Sequence, residues 1–259
     1  MEILIVTIIV LLIFITAFVF SNTGMGGGLL YVPILIFLGE MSYSEARPIS
    51  LCFAFATTGL SAYNHARKGL VDYRVGGIAV SGTLTGTILG FFFISNVDDR
   101  IPGLMFSVFI FFVCIKMIYD LKKAGTPQPV RSLGSKEYVL TASVTFTSGF
   151  LSISLGIGGG LLLVPLFIYI NGLETRRASG TSSFTAMFTT LSGIVILLMG
   201  ETSFSINIGE VVLLTVWVAL GSFLGSRWGI KKLKTREVTL IIIGVMILSS
   251  LLMLWKYLG

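Results

Sequence analysis

Apolar residues in this chain fall in long runs and do not alternate with polar ones. Five runs reach the length needed to cross hydrocarbon: 2–20, 74–95, 102–121, 206–227 and 238–258. Roughly 20 apolar residues at 1.5 Å rise span a bilayer core, and only a helix can satisfy its own backbone there. Shorter apolar stretches lie at 28–39, 48–63, 138–155, 160–171 and 180–199. Those at 28–39 and 160–171 would be only about 18 Å long, too short to span alone. The pattern predicts an all-α polytopic membrane protein with 8–10 membrane helices, the two short segments being re-entrant or half-spanning. Short alternating strands, as a membrane β-barrel needs, are absent from it.

The pattern repeats. At an offset of 132 positions, Gly24-Met25-Gly26-Gly27-Gly28-Leu29-Leu30-Tyr31-Val32-Pro33 aligns with Gly156-Ile157-Gly158-Gly159-Gly160-Leu161-Leu162-Leu163-Val164-Pro165. The same offset carries Ala46 onto Ala178, Ser50 onto Ser182, Ala54 onto Ala186, and Thr57-Thr58 onto Thr189-Thr190. Each half then holds five apolar segments. The chain divides into a first repeat at 1–121, a polar linker at 122–136 containing Pro127 and Pro129, and a second repeat at 137–259. Pro33 and Pro165 are expected to break the helix that follows each glycine run.

Charge orients the two copies. Only 12% of residues are charged, and 54% are hydrophobic, far from the roughly 25% charged residues of a soluble domain. The net charge is +6, but its placement matters more than its sum. All Lys and Arg except Arg47, Arg100 and Lys256 fall on or beside four connections: 64–74, the linker, 172–179 and 227–237. The positive-inside rule assigns these to the cytoplasm. Basic loop 64–74 then corresponds by repeat to acidic loop 200–205, and acidic loop 95–101 to basic loop 227–237. Equivalent loops of opposite character mean inverted-topology repeats, with both termini outside. Such repeats place a site near the midplane where the copies meet, and move by alternating access. The first run begins Met1-Glu2, with no basic residue ahead of it, and reads as a retained helix and not a leader.

The candidate chemistry sits at the two glycine runs. Gly24, Gly26, Gly27 and Gly28, with Gly156, Gly158, Gly159 and Gly160, permit positive φ and close backbone approach. Each run opens a short helix whose free N–H groups and positive dipole end would point inward. Together they would form an anion cradle without a buried cation; the simpler reading is close helix packing. Hydroxyl and amide side chains gather beside them: Ser21, Asn22, Thr23 and Ser50, Thr57, Thr58 in the first copy. Ser152, Ser154, Ser182, Ser183, Thr189 and Thr190 stand in the second. Neutral donors suit an anion that must bind and leave. Gly82, Gly86, Gly90 and Gly221, Gly225, Gly229 recur every four residues, as close helix packing requires. His65 is expected to be solvated in its basic loop.

Several classes drop out. No acidic residue lies in the middle of an apolar run, as cation carriers usually require. Cys52 and Cys114 have no His neighbours, so no metal site is expected. No nucleotide-binding loop is present, and no catalytic constellation, cofactor or nucleic-acid partner is indicated. The paired Gly-x-Gly-Gly-Gly-x3-Val-Pro turns, each followed by a Ser/Thr-rich helix, resemble the TauE/SafE family of sulfite and organosulfonate exporters. The resemblance implies a plasma-membrane exporter of small sulfur-containing anions such as sulfite, thiosulfate or organosulfonates; the residues leave a coupling ion, proton or sodium, unidentified. The exposed termini leave room for a homodimer. An anion channel, or a membrane-embedded subunit that transports nothing, are the competing readings. One departure stands out: Ala17 and Ser21 before the first turn correspond to Gly149 and Ile153, so the two half-sites differ in side chains.

Overall fold

The computed structural model describes residues 2–95, 97–122, 135–200, 208–228 and 235–258. Most of the linker and all of 201–207 and 229–234, Gly229 included, fall outside these residues. Ten α-helices follow in chain order: α1 Glu2–Phe20, α2 Gly28–Phe37, α3 Tyr43–Ala66, α4 Tyr73–Ile94, α5 Arg100–Lys122, α6 Ser135–Leu155, α7 Gly160–Tyr169, α8 Thr175–Met199, α9 Ile208–Trp228 and α10 Thr235–Leu258. The described residues contain no strand. Five of the helices are long and apolar enough to cross a membrane by length and composition, and α2 and α7, at 10 residues each, are not.

Local chemistry sets the ends. Ser42 and Glu45 form a reciprocal capping box that starts α3. The Asp72 carboxylate accepts from the Val75 amide at 3.1 Å to start α4. Asp72 also pairs with Arg177 of α8 at 3.2 Å, tying the two helix starts together. Pro33 and Pro165 do not break their helices. Each lies inside an unbroken α2 or α7, because losing one intrahelical bond is tolerated where a short helix is held by its neighbours.

The distribution of polarity is that of a protein dissolved in lipid. Phe92, Phe112 and Leu198 are 68%, 64% and 66% exposed, while Thr57, Thr83, Thr87, Thr181 and Thr185 are fully buried. Most of the buried hydroxyls return a hydrogen bond to a carbonyl one turn back, as Thr57 does to Phe53 at 2.8 Å. With lipid as apolar as the side chains, association must come from close packing and internal hydrogen bonds.

That packing runs between the copies. The most extensive interfaces join α4 to α6, α3 to α8 and α9, α1 to α9, α5 to α10, and α4 to α8. Exchanging the copies turns α4–α6 into α9–α1, and α3–α9 into α8–α4, while α3–α8 and α5–α10 map onto themselves. Neither copy therefore builds a core of its own. The glycine stripes make these approaches. A Cβ on Gly86 or Gly90 would strike the α6 backbone at Phe146 and Phe150, and one on Gly221 or Gly225 the α1 backbone at Phe14 and Phe18. Phe146 and Phe150 are the repeat equivalents of Phe14 and Phe18, so the same crossing is built twice.

Two kinds of glycine should therefore respond in opposite ways. Gly86→Ala and Gly221→Ala should each destabilise the detergent-solubilised protein by about 1–3 kcal/mol, because backbone must move. A Cβ on Gly77 would meet nothing within 4 Å, so Gly77→Ala, in the same helix as Gly86, should be neutral or mildly stabilising. Thermal unfolding of the three variants checks this.

A candidate anion site at the crossed glycine turns

The two glycine turns have the same backbone. Gly24, Gly26 and Gly27 adopt φ of 76°, 82° and 79°, and Gly156, Gly158 and Gly159 adopt 71°, 86° and 72°. All six are left-handed conformations that side-chain-bearing residues resist. The turns also touch. A Cβ on Gly28 would lie 2.6 Å from the Gly156 carbonyl oxygen, and one on Gly160 2.9 Å from the Met25 Cα. Glycine is required there twice over, by dihedral angle in the turn and by space at the crossing.

Two serines lock the contact symmetrically. Ser50 Oγ donates to the Gly156 carbonyl at 2.7 Å, and Ser182 Oγ donates to the Gly24 carbonyl at 2.8 Å. Ser50 and Ser182 are repeat equivalents, as are the two carbonyls. Each bond crosses from the hydroxyl-rich helix of one copy to the turn of the other. Ser182 also reaches the Gly160 carbonyl at 3.1 Å. The N-caps of α2 and α7 are Gly27 and Gly159, neither with a side-chain cap. In the first turns the Leu30 amide donates to the Gly27 carbonyl at 3.0 Å and the Gly160 amide to the Gly158 carbonyl at 2.9 Å, and each start keeps the positive partial charge of a helix N-terminus.

The other predicted site residues divide by what they touch. Thr189 donates to the Thr185 carbonyl at 2.9 Å, and Thr23 to the Phe20 carbonyl at 2.9 Å. Thr57 additionally meets the Tyr31 hydroxyl at 2.8 Å. Ser183 bonds Ser179 at 2.9 Å and the Ser61 hydroxyl at 2.8 Å. Asn22 donates to the Gly225 carbonyl at 2.7 Å, joining the first turn to α9. Ser154 is fully buried, and its hydroxyl has no partner. The hydroxyls thus gather around the turns, but most are engaged in holding helices together.

Two expectations need correction. The sequence predicts a cradle without a buried cation, with Arg47 in a connection. Arg47 instead lies in the first turns of α3, 8% exposed, with its Cγ 3.2 Å from the Cβ position of Gly156. Its Nε has no hydrogen-bond partner. The capping box begins α3 at Tyr43, five residues before the apolar stretch, and this carries Arg47 into the packed interior beside Ser50. The repeat equivalent is Ser179, so the two copies differ at this position. His65 is likewise not solvated: it is 9% exposed, with Nδ1 2.8 Å from the Ser61 carbonyl oxygen. The α3 helix runs on to Ala66 and takes the imidazole inside. No group of three or more metal-ligating side chains occurs among the described residues.

Comparison with known proteins meets the geometry at this point. Residues 9–253 match the family model described as sulfite exporter TauE/SafE. The chain belongs to the TauE/SafE family. A relative of this TauE/SafE chain in Haemophilus influenzae, 29% identical, is called a probable membrane transporter protein; the match covers 66% of this chain and 65% of that one. Relatives named in the same way in Methanocaldococcus jannaschii (24% identical, 97% of this chain and 96% of the relative) and Bacillus subtilis (YunE, 23%, 96% and 97%) match over nearly their whole length. No solved structure matches the chain. TauE/SafE membership makes this a membrane transporter, and the relatives' names specify no solute.

The paired serine bonds can be tested directly. Ser50→Ala and Ser182→Ala should each cost roughly 0.5–1.5 kcal/mol of stability, since each leaves a buried carbonyl without its donor. The double variant should show a measurable coupling energy in a double-mutant cycle, because both bonds clamp one contact.

Proposed function

We propose that this TauE/SafE protein is a secondary transporter that exports small sulfur-containing anions, such as sulfite, thiosulfate or organosulfonates, by alternating access. The observation that carries this reading is the meeting of two uncapped helix N-termini, one from each copy, in the interior. An N-terminus offers backbone donors and partial positive charge to an oxyanion without a covalent or metal ligand. Neutral hydroxyls around the turns add donors that bind an anion without trapping it.

Movement would follow from the architecture. The two repeats, 1–121 and 137–259, would enter the bilayer from opposite sides and rock about the crossed turns, both termini lying outside a plasma membrane. The coupling ion, proton or sodium, would be carried with or against the anion. Packing along exposed faces of α1, α9 or α10 would accommodate a homodimer.

Proteoliposome flux with labelled sulfite and sulfoacetate, with and without a pH gradient, tests the reading. Saturable flux with acceleration by the same anion on the far side is expected. Flux no greater than in protein-free vesicles for every oxyanion would contradict it, and single-channel current steps would replace the carrier with a pore.

A further inference from the structure

The seam between α3 and α8 has two ends, and the repeat pairs the residues of one with those of the other. At the first end Leu51, Ile153 and Leu197 form a buried apolar cluster, with Leu51 Cδ1 3.3 Å from the Cβ position of Gly193. Leu51, Ile153, Leu197 and Gly193 correspond in turn to Ser183, Ser21, His65 and Ser61. These four also meet. Ser61 Oγ donates to the Ser21 carbonyl and lies 2.8 Å from the Ser183 hydroxyl, and His65 Nδ1 lies 2.8 Å from the Ser61 carbonyl oxygen. All four are buried. One backbone crossing is thus filled by leucine, isoleucine and glycine at one end, and by serine and histidine at the other. The polar end is not a requirement of the fold.

Imidazole changes charge near neutral pH, and His65 is the chain's one histidine. The Ser61 carbonyl can only accept, so Nδ1 carries the proton of the neutral ring and Nε2 is where a second proton binds. The surroundings oppose that proton. Lys68, in the loop that follows, donates to the Ser226 carbonyl of α9 at 3.2 Å, and its charge acts on the imidazole. Arg177 of α8 is paired with Asp72. Arg67 lies over the Tyr63 ring and Arg227 of α9 over the Phe223 ring, each 5.7 Å from the centroid. Arg74, Glu174 and Arg176 are exposed, and the end of α1 brings no ionisable side chain. Among the described residues no carboxylate pairs with His65. An imidazolium in the closed seam would be a buried charge without a counter-ion, which is costly unless water reaches it.

We infer that His65 is a proton-binding site that gates the α3–α8 seam: a proton on Nε2 parts the two helices at the end carrying connections 64–74 and 172–179, and its loss lets that end close. This rests on the reading of the protein as an alternating-access transporter. The seam joins one copy to the other, so it must part at one end when the copies move. Once parted, Ser61, Ser183 and the Ser21 carbonyl can be hydrated, as the leucines at the opposite end cannot. Water then solvates the imidazolium, so the parted state binds the proton more tightly than the closed one. By linkage the proton favours the parted state, as in other histidine-switched interfaces.

The separation of two spin labels across the seam, measured on full-length protein without any solute, tests this. Labels go on Arg67→Cys and Thr175→Cys, one on each copy, with Cys52 and Cys114 replaced by alanine. Between about pH 8 and about pH 5.5, the range in which an imidazole charges, the separation should grow by roughly 3 Å or more. With His65→Gln added, it should stay at the high-pH value throughout. The midpoint should also coincide with that of the His65 ring resonance in the nuclear magnetic resonance spectrum, a check that needs no substitution at His65. A separation indifferent to pH, a response that survives in His65→Gln, or two midpoints that differ would each overturn the inference. None of these would touch the transporter reading, because no solute is present. Conversely, a gate that responds as expected in a protein that moves no oxyanion would uphold the switch and sink the transporter reading alone.

Discussion

Everything in this molecule hangs on a backbone-to-backbone contact between two glycine turns. Gly28 packs on the Gly156–Ile157 carbonyls and Gly160 on Gly24 and Met25, at distances no Cβ could share. In water such exposed carbonyls could be left to solvent; in a lipid-dissolved interior they must find donors. Ser50 and Ser182 supply them across the contact. The left-handed glycines let the chain reverse within the protein, and the serines satisfy the carbonyls that the reversal frees. From that follow the short α2 and α7, the aim of their N-termini, and the crossing of α3 with α8.

The same device is repeated outward. The α4–α6 and α1–α9 crossings are one solution used twice, with glycine against carbonyl at each step. Because the largest interfaces lie between copies, movement of one against the other would slide these glycine-lined seams before it disturbed helix interiors. Symmetry stops at the side chains. Arg47 faces one turn and Ser179 the other; Phe20 and Tyr31 fill one turn, where Ser152 and Leu163 leave room in its counterpart.

Much of this was legible in the sequence. The offset of 132 exposes the repeat, and glycines at positions where two stretches of backbone must meet recur at both copies. The Gly86–Gly90 and Gly221–Gly225 stripes announce packing, and the structure places them against equivalent phenylalanine carbonyls. The pairing of Ser50 with Ser182 is visible as equivalence but not as a clamp, because which carbonyl each meets depends on the other copy. Arg47 and His65 escape a hydropathy reading for one reason. The apolar runs stop short of both, yet the helix carrying them is longer than its apolar part at each end: a capping box starts α3 ahead of Arg47, and the helix runs past His65 to Ala66. Ser152 and Ser154 look like two hydroxyls among many; both lack a partner, and only packing reveals that.

The central claim, that the crossed turns bind an oxyanion, meets its most direct test in ligand-dependent thermal stability of the purified protein. A solute that binds only the folded state stabilises it by about 2.7 kcal/mol at a hundred times its Kd. Saturable stabilisation by sulfite, thiosulfate or sulfoacetate is the predicted result. A panel in which no oxyanion stabilises the protein while a cation or a neutral solute clearly does would contradict it.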